Sequence, residues 1–352
     1  MAEGETQTRR TPLISVVVPA YNAAGTVLET IDSICRQTFI DFELIIINDG
    51  STDGTLARLQ SVTDPRLRIV TCLNQGLAAA RNRGIELAEG EFISFIDADD
   101  LWTPDKLELQ LQALRGREGA ALAYSWTAFV DSNGRFLFAK EPSRFEGEVY
   151  EDLLRNCNFV ASGSNMLVRR SCAMSVGGFD TTLEAAHDWD FCQRIAARWP
   201  FALVPRYQIL YRISENAMSA DPGRAERNCL LLCGNAIERN RVSRASSAMS
   251  FSGVKQYAAF LYLTRATGPD FRREAGRKLT ESIRLYPPTL LTGKTWHLLL
   301  TWFVLGALPK RRQRSAVLML LRIFGRWSWI WRREVRRLAA FSGEMTSSAK
   351  TR

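Results

Sequence analysis

Asp97-Ala98-Asp99-Asp100 puts three carboxylates within four residues, directly behind the apolar run FISFI. Carboxylates this close repel one another unless a positive charge sits among them. A hard divalent cation, Mg²⁺ or Mn²⁺, meets that need, with substrate phosphates completing its oxygen shell. The bland alternative is that Asp100 helps start the next helix while the others are solvated. Two more polar clusters follow apolar runs, Pro19-Ala20-Tyr21-Asn22 and Asn48-Asp49-Gly50-Ser51-Thr52-Asp53. Each also reads as turn-and-cap chemistry, because Asp, Ser and Gly favour such places. Asp188, in His187-Asp188-Trp189-Asp190, heads an apolar-periodic stretch. It would act there either as a proton acceptor or as an ordinary helix-capping carboxylate. Glycoside hydrolysis also uses two carboxylates but needs neither metal nor nucleotide, so the acidic cluster points to group transfer.

The elements that must position these residues alternate. Residues 14–19 (ISVVVP), 42–47 (FELIII), 67–71 and 91–96 (EFISFI) are short apolar runs, the pattern of strands buried on both faces. Helical spacing over 25–37 and 77–88 separates them, and Thr103-Pro104 opens a further helix. The alternation predicts an α/β fold with a mostly parallel sheet and helices on both faces. In such sheets ligands bind beyond the carboxyl ends of the strands, where all three polar clusters fall. After about residue 119 the pattern changes. Residues 120–130 and 135–140 flank the hairpin signal Asp131-Ser132-Asn133-Gly134, and 164–170 reads as another strand. A helix follows over 188–198, then short extended pieces over 201–205 and 208–212. The polar stretch 214–223 marks a boundary, beyond which 225–240, 254–267 and 271–285 read as helices. No GxGxxG follows the first strand and no GxxxxGK[ST] occurs, which excludes a dinucleotide fingerprint and a phosphate loop.

Composition narrows the class. A chain of 352 residues, 46% apolar and 24% charged, has an ordinary globular make-up and room for about two domains. Two histidines exclude a multi-histidine metal site, and seven cysteines without a CxxC pair suit a reducing compartment. The net charge of +9 calls for an anionic partner. From 310 to 337 ten basic residues stand against Glu334 alone, interleaved with Trp327, Trp329, Trp331 and aliphatic residues. This tail reads as a helix lying on an anionic membrane surface, as a soluble helical subdomain, or as a nucleic-acid surface, which basic-aromatic interleaving also permits. Residues 296–308 would form a helix about 20 Å long, too short to cross a bilayer core of about 30 Å. The start of the chain carries no secretory signal, and 1–11 and 341–352 are expected to be disordered. The expectation is a cytoplasmic protein held peripherally at the inner membrane face.

The motifs VVVPAYN, ELIIINDGSTDGT, NQGLAAARNRG, GEFISFIDADD, GGFD and HDWDFCQR, spread over residues 12–212, resemble the inverting glycosyltransferases of family two, which have the GT-A fold. The resemblance implies a GT-A domain at 12–220; the helical spacing beyond it marks a C-terminal helical region at 224–340. It also implies a nucleotide-sugar donor, most often UDP-linked, a divalent metal, and inverting transfer to a lipid-linked or polysaccharide acceptor. Carried over, Pro19, Tyr21 and Asn22 would line the base and ribose pocket, Asp49 would bond the nucleobase, and Arg81 would lie near the nucleotide. Asp97 and Asp99 would be the paired metal-site acids, Asp99 the direct ligand and Asp97 nearer the ribose. Asp188 would be the general base, with Asp190 and Arg194 on the helix behind it. Arg212 matches more weakly a position that closes over the diphosphate; otherwise it is a surface arginine. Many relatives carry Glu where His187 stands, which leaves His187 as an acceptor contact, an influence on its neighbour's proton, or an exposed loop residue. A non-catalytic sugar-nucleotide or membrane-binding module of the same fold is the alternative function. A nucleotidyltransferase would share the metal logic but lacks a basic, glycine-rich loop after the first strand.

Overall fold

The computed structural model describes residues 11–155, 158–213, 221–240, 242–264 and 270–308, with Leu338 and Phe341. Strands β1 (Ile14–Ala20), β2 (Phe42–Asp49), β3 (Leu67–Cys72) and β4 (Phe92–Phe95) alternate with helices α1 (Val27–Cys35), α2 (Thr55–Gln60) and α3 (Leu77–Leu87). They pair in parallel in the order β3-β2-β1-β4. β1 and β2 are buried along their whole length, as unbroken apolar runs require. Their side chains alternate between two layers. Val17, Ile45, Ile47 and Phe95 join the core beneath α3, and Val16, Val18, Leu44 and Ile46 join the core beneath α1. Each such fully buried aliphatic side chain contributes about 1.5–3 kcal/mol. Gly84 lets α3 settle on the sheet, since a Cβ there would stand 2.2 Å from Val17 Cγ1.

The second half of the sheet is mixed. It comprises β5 (Leu101–Trp102), α4 (Lys106–Gly116), β6 (Leu122–Val130), β7 (Phe136–Ala139), α5 (Tyr150–Arg155), β8 (Leu167–Arg169), α6 (Arg170–Ser175), α7 (His187–Ala196) and β9 (Phe201–Arg212). β8 runs antiparallel between β4 and β6, β9 lies parallel to β6, and β5 closes the edge. β9 is one strand where the sequence reads two pieces. Register shifts near Trp126 let β6 follow it past the more exposed Pro205 and Arg206.

Helices α8 (Pro222–Asn240), α9 (Arg244–Thr264), α10 (Phe271–Leu285) and α11 (Gly293–Ala307) follow. Cys229, Leu232, Cys233 and Val254 of α8 and α9 enter the same core cluster as Trp189 and Phe191 of α7. Ala259, Leu263, Ala275, Leu279, Leu298 and Leu305 form a separate cluster among α9, α10 and α11. Buried Glu226 pairs with Lys255 at 2.7 Å and Lys278 at 2.5 Å, tying α8 to α9 and α10. α9 starts ten residues before the stretch read as helical. Its first turns pack through Ser246, Ser250, Ser252 and Gly253, a buried small-residue face that looks polar as sequence. Phe341, expected in a disordered end, packs with Leu338 against the cluster around Leu101, Trp126 and Tyr207. The basic stretch 310–337 lies outside the described residues. Among the described residues no helix is long and apolar enough to cross a membrane.

Candidate active site

The loops behind β1 and β2 form one stitched unit. Pro19 is buried within β1, and Tyr21 is exposed just beyond it. Asn22 adopts φ +48°, and its side-chain oxygen accepts from the Thr52 amide at 2.9 Å. The Asn22 amide donates to Ser51 Oγ at 3.1 Å, the Ala23 amide to Thr55 Oγ1 at 2.8 Å, and the Ala24 amide to Asp53 Oδ2 at 3.1 Å. Hydrogen bonds from Thr55 and Ala24 hold the Asp53 carboxyl below its usual range. Asp49 is buried, and its two oxygens accept from the amides of Gln75 and Gly76, each at 2.9 Å. It therefore fixes the loop that leads from β3 into α3, where Gly76 takes φ +89°.

The three acids behind β4 separate into different environments. Asp97 is partly exposed and accepts from Arg81 Nη2 at 2.5 Å. Arg81 is buried in α3, its guanidinium 5.2 Å over the Phe179 ring. Asp99 is half-buried, and among the described residues no other side chain hydrogen-bonds its carboxylate. Burial and then the neighbouring Asp97 charge push its carboxyl up to about 6, against a lowering pull from Arg212. Asp100 is fully buried and braces the interior: Oδ2 accepts from Ser164 Oγ at 2.5 Å and Oδ1 from the Arg212 amide at 2.9 Å. Its carboxyl lies well above the usual range, through burial first and then Asp99 and Asp97. Its partners are Ser164 and the Arg212 amide, not the start of the next helix, which is the alternative reading of its position.

Arg212 is not on the surface either. It is buried at the end of β9, where Nη2 reaches Glu29 at 2.6 Å, Nε the Asp99 carbonyl at 2.7 Å and Nη1 the Ser132 carbonyl at 2.8 Å. His187 departs from the exposed-loop reading in the same way. It is buried in the first turn of α7 and donates Nε2–H to the Leu183 carbonyl at 2.9 Å. Burial, followed by the charge of Arg81, lowers its pKa and keeps the imidazole neutral. Asp188 is the second residue of α7, and its Oδ2 accepts from Asn158 Nδ2 at 2.7 Å. Asp190 and Arg194 pair at 2.6 Å on the same helix, and Arg194 also holds the Val176 carbonyl at 2.6 Å.

Residues 158–165 meet several of these groups; the sequence reading passes over 158–163 and takes 164–165 as the start of a strand, whereas Gly163–Asn165 form a 3-10 turn and the strand begins at Leu167. Asn158 holds Asp188. Gly163 leaves room for Arg81, since a Cβ there would lie 2.2 Å from Nη2. Ser164 bonds Asp100, accepts from the Asp97 amide at 3.0 Å, and offers its carbonyl to Trp102 Nε1 at 2.8 Å. Asn165 anchors the segment by bonding the Ser125 amide and carbonyl at 2.9 and 2.7 Å. The only hint in the sequence was a run of small polar residues, SGSN, placed just before a strand.

With the Asp97 amide and the Asp100 and Asp188 carboxylates all bonded by one segment, comparison with known proteins becomes informative. The sequence model described as Glycosyltransferase like family 2 matches residues 15–257. The chain belongs to this family. Among its relatives, the Escherichia coli protein named UDP-Glc:alpha-D-GlcNAc-diphosphoundecaprenol beta-1,3-glucosyltransferase WfgD is 32% identical over 149 residues, 41% of this chain and 56% of that one. The chain spans 22–24% of the length of the first curated relatives, uncharacterized glycosyltransferases of Rickettsia. Among solved structures, the Pyrobaculum calidifontis mannosyltransferase PcManGT in complex with GDP-Man and Mn²⁺ is similar with a TM-score of 0.54 and 22% identity, over 91% of this chain and 89% of that one. Staphylococcus aureus TarS 1-349 with UDP-GlcNAc gives 0.51 and 18%, over 88% and 89%. At these identities the likeness is one of fold, and that fold is GT-A.

Proposed function

We propose that this member of the family is an inverting glycosyltransferase, moving a sugar from a nucleotide-sugar donor, UDP-linked, to a glycan or lipid-linked acceptor of the cell envelope. The observation that carries the reading is the 158–165 segment, whose Ser164 hydroxyl accepts from the Asp97 amide, whose Gly163 leaves room for the Arg81 guanidinium that holds the Asp97 carboxylate, and whose Asn158 holds the Asp188 carboxylate at 2.7 Å. A transferase needs those two carboxylates held in one frame, because one serves the leaving group and the other the attacking hydroxyl.

The chemistry follows from where each group sits. Asp188 takes the proton from the acceptor hydroxyl as its oxygen attacks the anomeric carbon on the face opposite the diphosphate, which inverts that centre. The Asn158 amide fixes one carboxylate oxygen and leaves the other to receive the proton. Pro19, Tyr21 and Asn22 form the wall against base and ribose. Asp49 Oδ1 accepts from the Gln75 amide and the Cys72 thiol and Oδ2 from the Gly76 amide, and since a carboxylate has about four acceptor sites, one on Oδ2 stays available for a base N–H. Arg81 holds Asp97 in place beside the ribose side of the cleft.

The donor set at β4 fits Mn²⁺ or Mg²⁺. Asp99 is half-buried beside a second carboxylate, the situation that a cation relieves. Among the described residues no group of three or more His, Cys, Asp or Glu gathers as a closed metal site; Asp99 with Asp97 would hold the ion and donor phosphates would complete its shell. When bound it supplies a Lewis acid that neutralises the departing diphosphate. The donor and acceptor named for WfgD, and the Mn²⁺ named with PcManGT, support these assignments. The catalytic unit is residues 12–220. The helical region at 224–340 holds it peripherally to the inner face of a membrane, with the basic, tryptophan-rich 310–337 stretch on anionic lipid.

The test is a panel of nucleotide sugars assayed for nucleotide release with Mn²⁺, with Mg²⁺ and with chelator. Metal-dependent release from a UDP-sugar is the expected result. UDP binding with no release from any donor would leave only a non-catalytic module.

A further inference from the structure

Helix α11 is apolar on two opposite sides. Among its fifteen residues Lys294 is the one Lys, Arg, Asp or Glu. Thr295, Leu298, Thr301 and Leu305 form its buried side, and Leu298 and Leu305 pack into the cluster shared with α9 and α10. At 3.6 residues per turn, Trp296, Leu300, Phe303 and Ala307 run along the opposite side. Those positions are open: Trp296 is 61%, Leu300 45% and Phe303 67% exposed. The turn just before the helix adds Leu291, 89% exposed. A helix facing water carries charge at such positions, whereas a helix apolar all round is covered all round.

We infer that this outer face of α11 docks in the interface of an anionic lipid bilayer. The proposal deepens the membrane reading above and does not depend on glycosyl transfer. Fifteen residues make about 22 Å of helix, short of the roughly 30 Å needed to span, so the helix lies along the surface. Tryptophan and phenylalanine on one side suit the headgroup boundary. Charge selects the occupant. The chain from 310 onward, two residues past Leu308, carries ten basic residues against one acidic up to 337. Anionic headgroups complement that charge, whereas a second copy of the chain would bring its own positive tail to the contact.

Co-sedimentation of the full chain with vesicles of phosphatidylcholine, alone or mixed with phosphatidylglycerol, tests this. Binding to the mixed vesicles, weakening as salt rises, is expected. Leu300→Ser combined with Phe303→Ser should lower the apparent affinity about tenfold with every basic residue retained. Leu291→Ser, on the exposed turn, should give a smaller loss and serves if the double variant does not fold. Nucleotide release without vesicles should be unchanged in both. The proposal is overturned if wild type ignores anionic vesicles, or if both variants bind them like wild type. It is equally overturned if the substitutions dissociate a dimer seen by light scattering and leave vesicle binding intact. A protein that binds vesicles yet releases no nucleotide would keep this proposal and lose the proposed reaction.

Discussion

At the β1 and β2 exits, proposed above as the donor side, several bonds join neighbouring polar residues: Asn22 with Ser51 and Thr52, Ala23 with Thr55, Ala24 with Asp53. Residues 158–165 are anchored to β6 by four hydrogen bonds between Asn165 and the pair Ser125 and Thr127, but meet the Asp97 amide and the Asp188 carboxylate by one bond each. A net hydrogen bond contributes about 1 kcal/mol, so the donor side loses little with any one of its bonds. The single bonds to Asp97 and Asp188 have no such redundancy, and substitutions at those two links should reach the chemistry.

The largest expected effect is at Asp188. Asp188→Asn should cut turnover about 10²-fold or more while donor affinity, measured by calorimetry, stays near wild type. A matching loss of donor affinity would erase the division between the two sides. Gly163→Ala comes next. Its Cβ would meet Arg81 Nη2 at 2.2 Å and force the guanidinium away from Asp97. Overpacking of this kind costs about 1–3 kcal/mol, visible as a lowered melting temperature, with turnover falling about tenfold. Asn158→Ala frees the Asp188 carboxylate and should lower kcat several-fold while leaving the donor KM unchanged. An altered donor KM would place Asn158 on the nucleotide side instead.

The smallest effect concerns pH. Burial holds the His187 pKa below its ordinary 6.5, so the unfolded chain takes up this proton before the folded one does. Stability from this residue is therefore complete above about pH 6.5 and declines as pH falls from there toward the folded-state value. His187→Gln should flatten that decline in urea titrations between about pH 6.5 and 5. An unchanged slope would mean that the imidazole is already accessible to solvent.

The parallel half of the sheet was legible because 14–19, 42–47 and 91–96 are continuous apolar runs with polar exits, and period and burial say the same thing there. Legibility failed where residue type and environment part company. Asp97, Asp99 and Asp100 are chemically identical in sequence, yet only Asp100 is sealed inside, by Ser164 and the Arg212 amide. His187 and Arg212 look like solvent-facing residues and are buried against carbonyls and, for Arg212, Glu29. The serines that start α9 look like a linker and form a packing face. The 158–165 segment offers only the small polar run SGSN as a local signal, because its meaning lies in partners such as Asp97, Asp100 and Trp102, about sixty positions away in the chain.

The cation that Asp99 is proposed to hold on a leaving diphosphate can be tested by titrating UDP into wild type and Asp99→Ala, with and without Mn²⁺, by calorimetry. Wild type should bind UDP more tightly with Mn²⁺, and Asp99→Ala should bind equally weakly in both conditions. A variant that keeps the full metal-dependent gain would contradict the assignment of Asp99 to the metal.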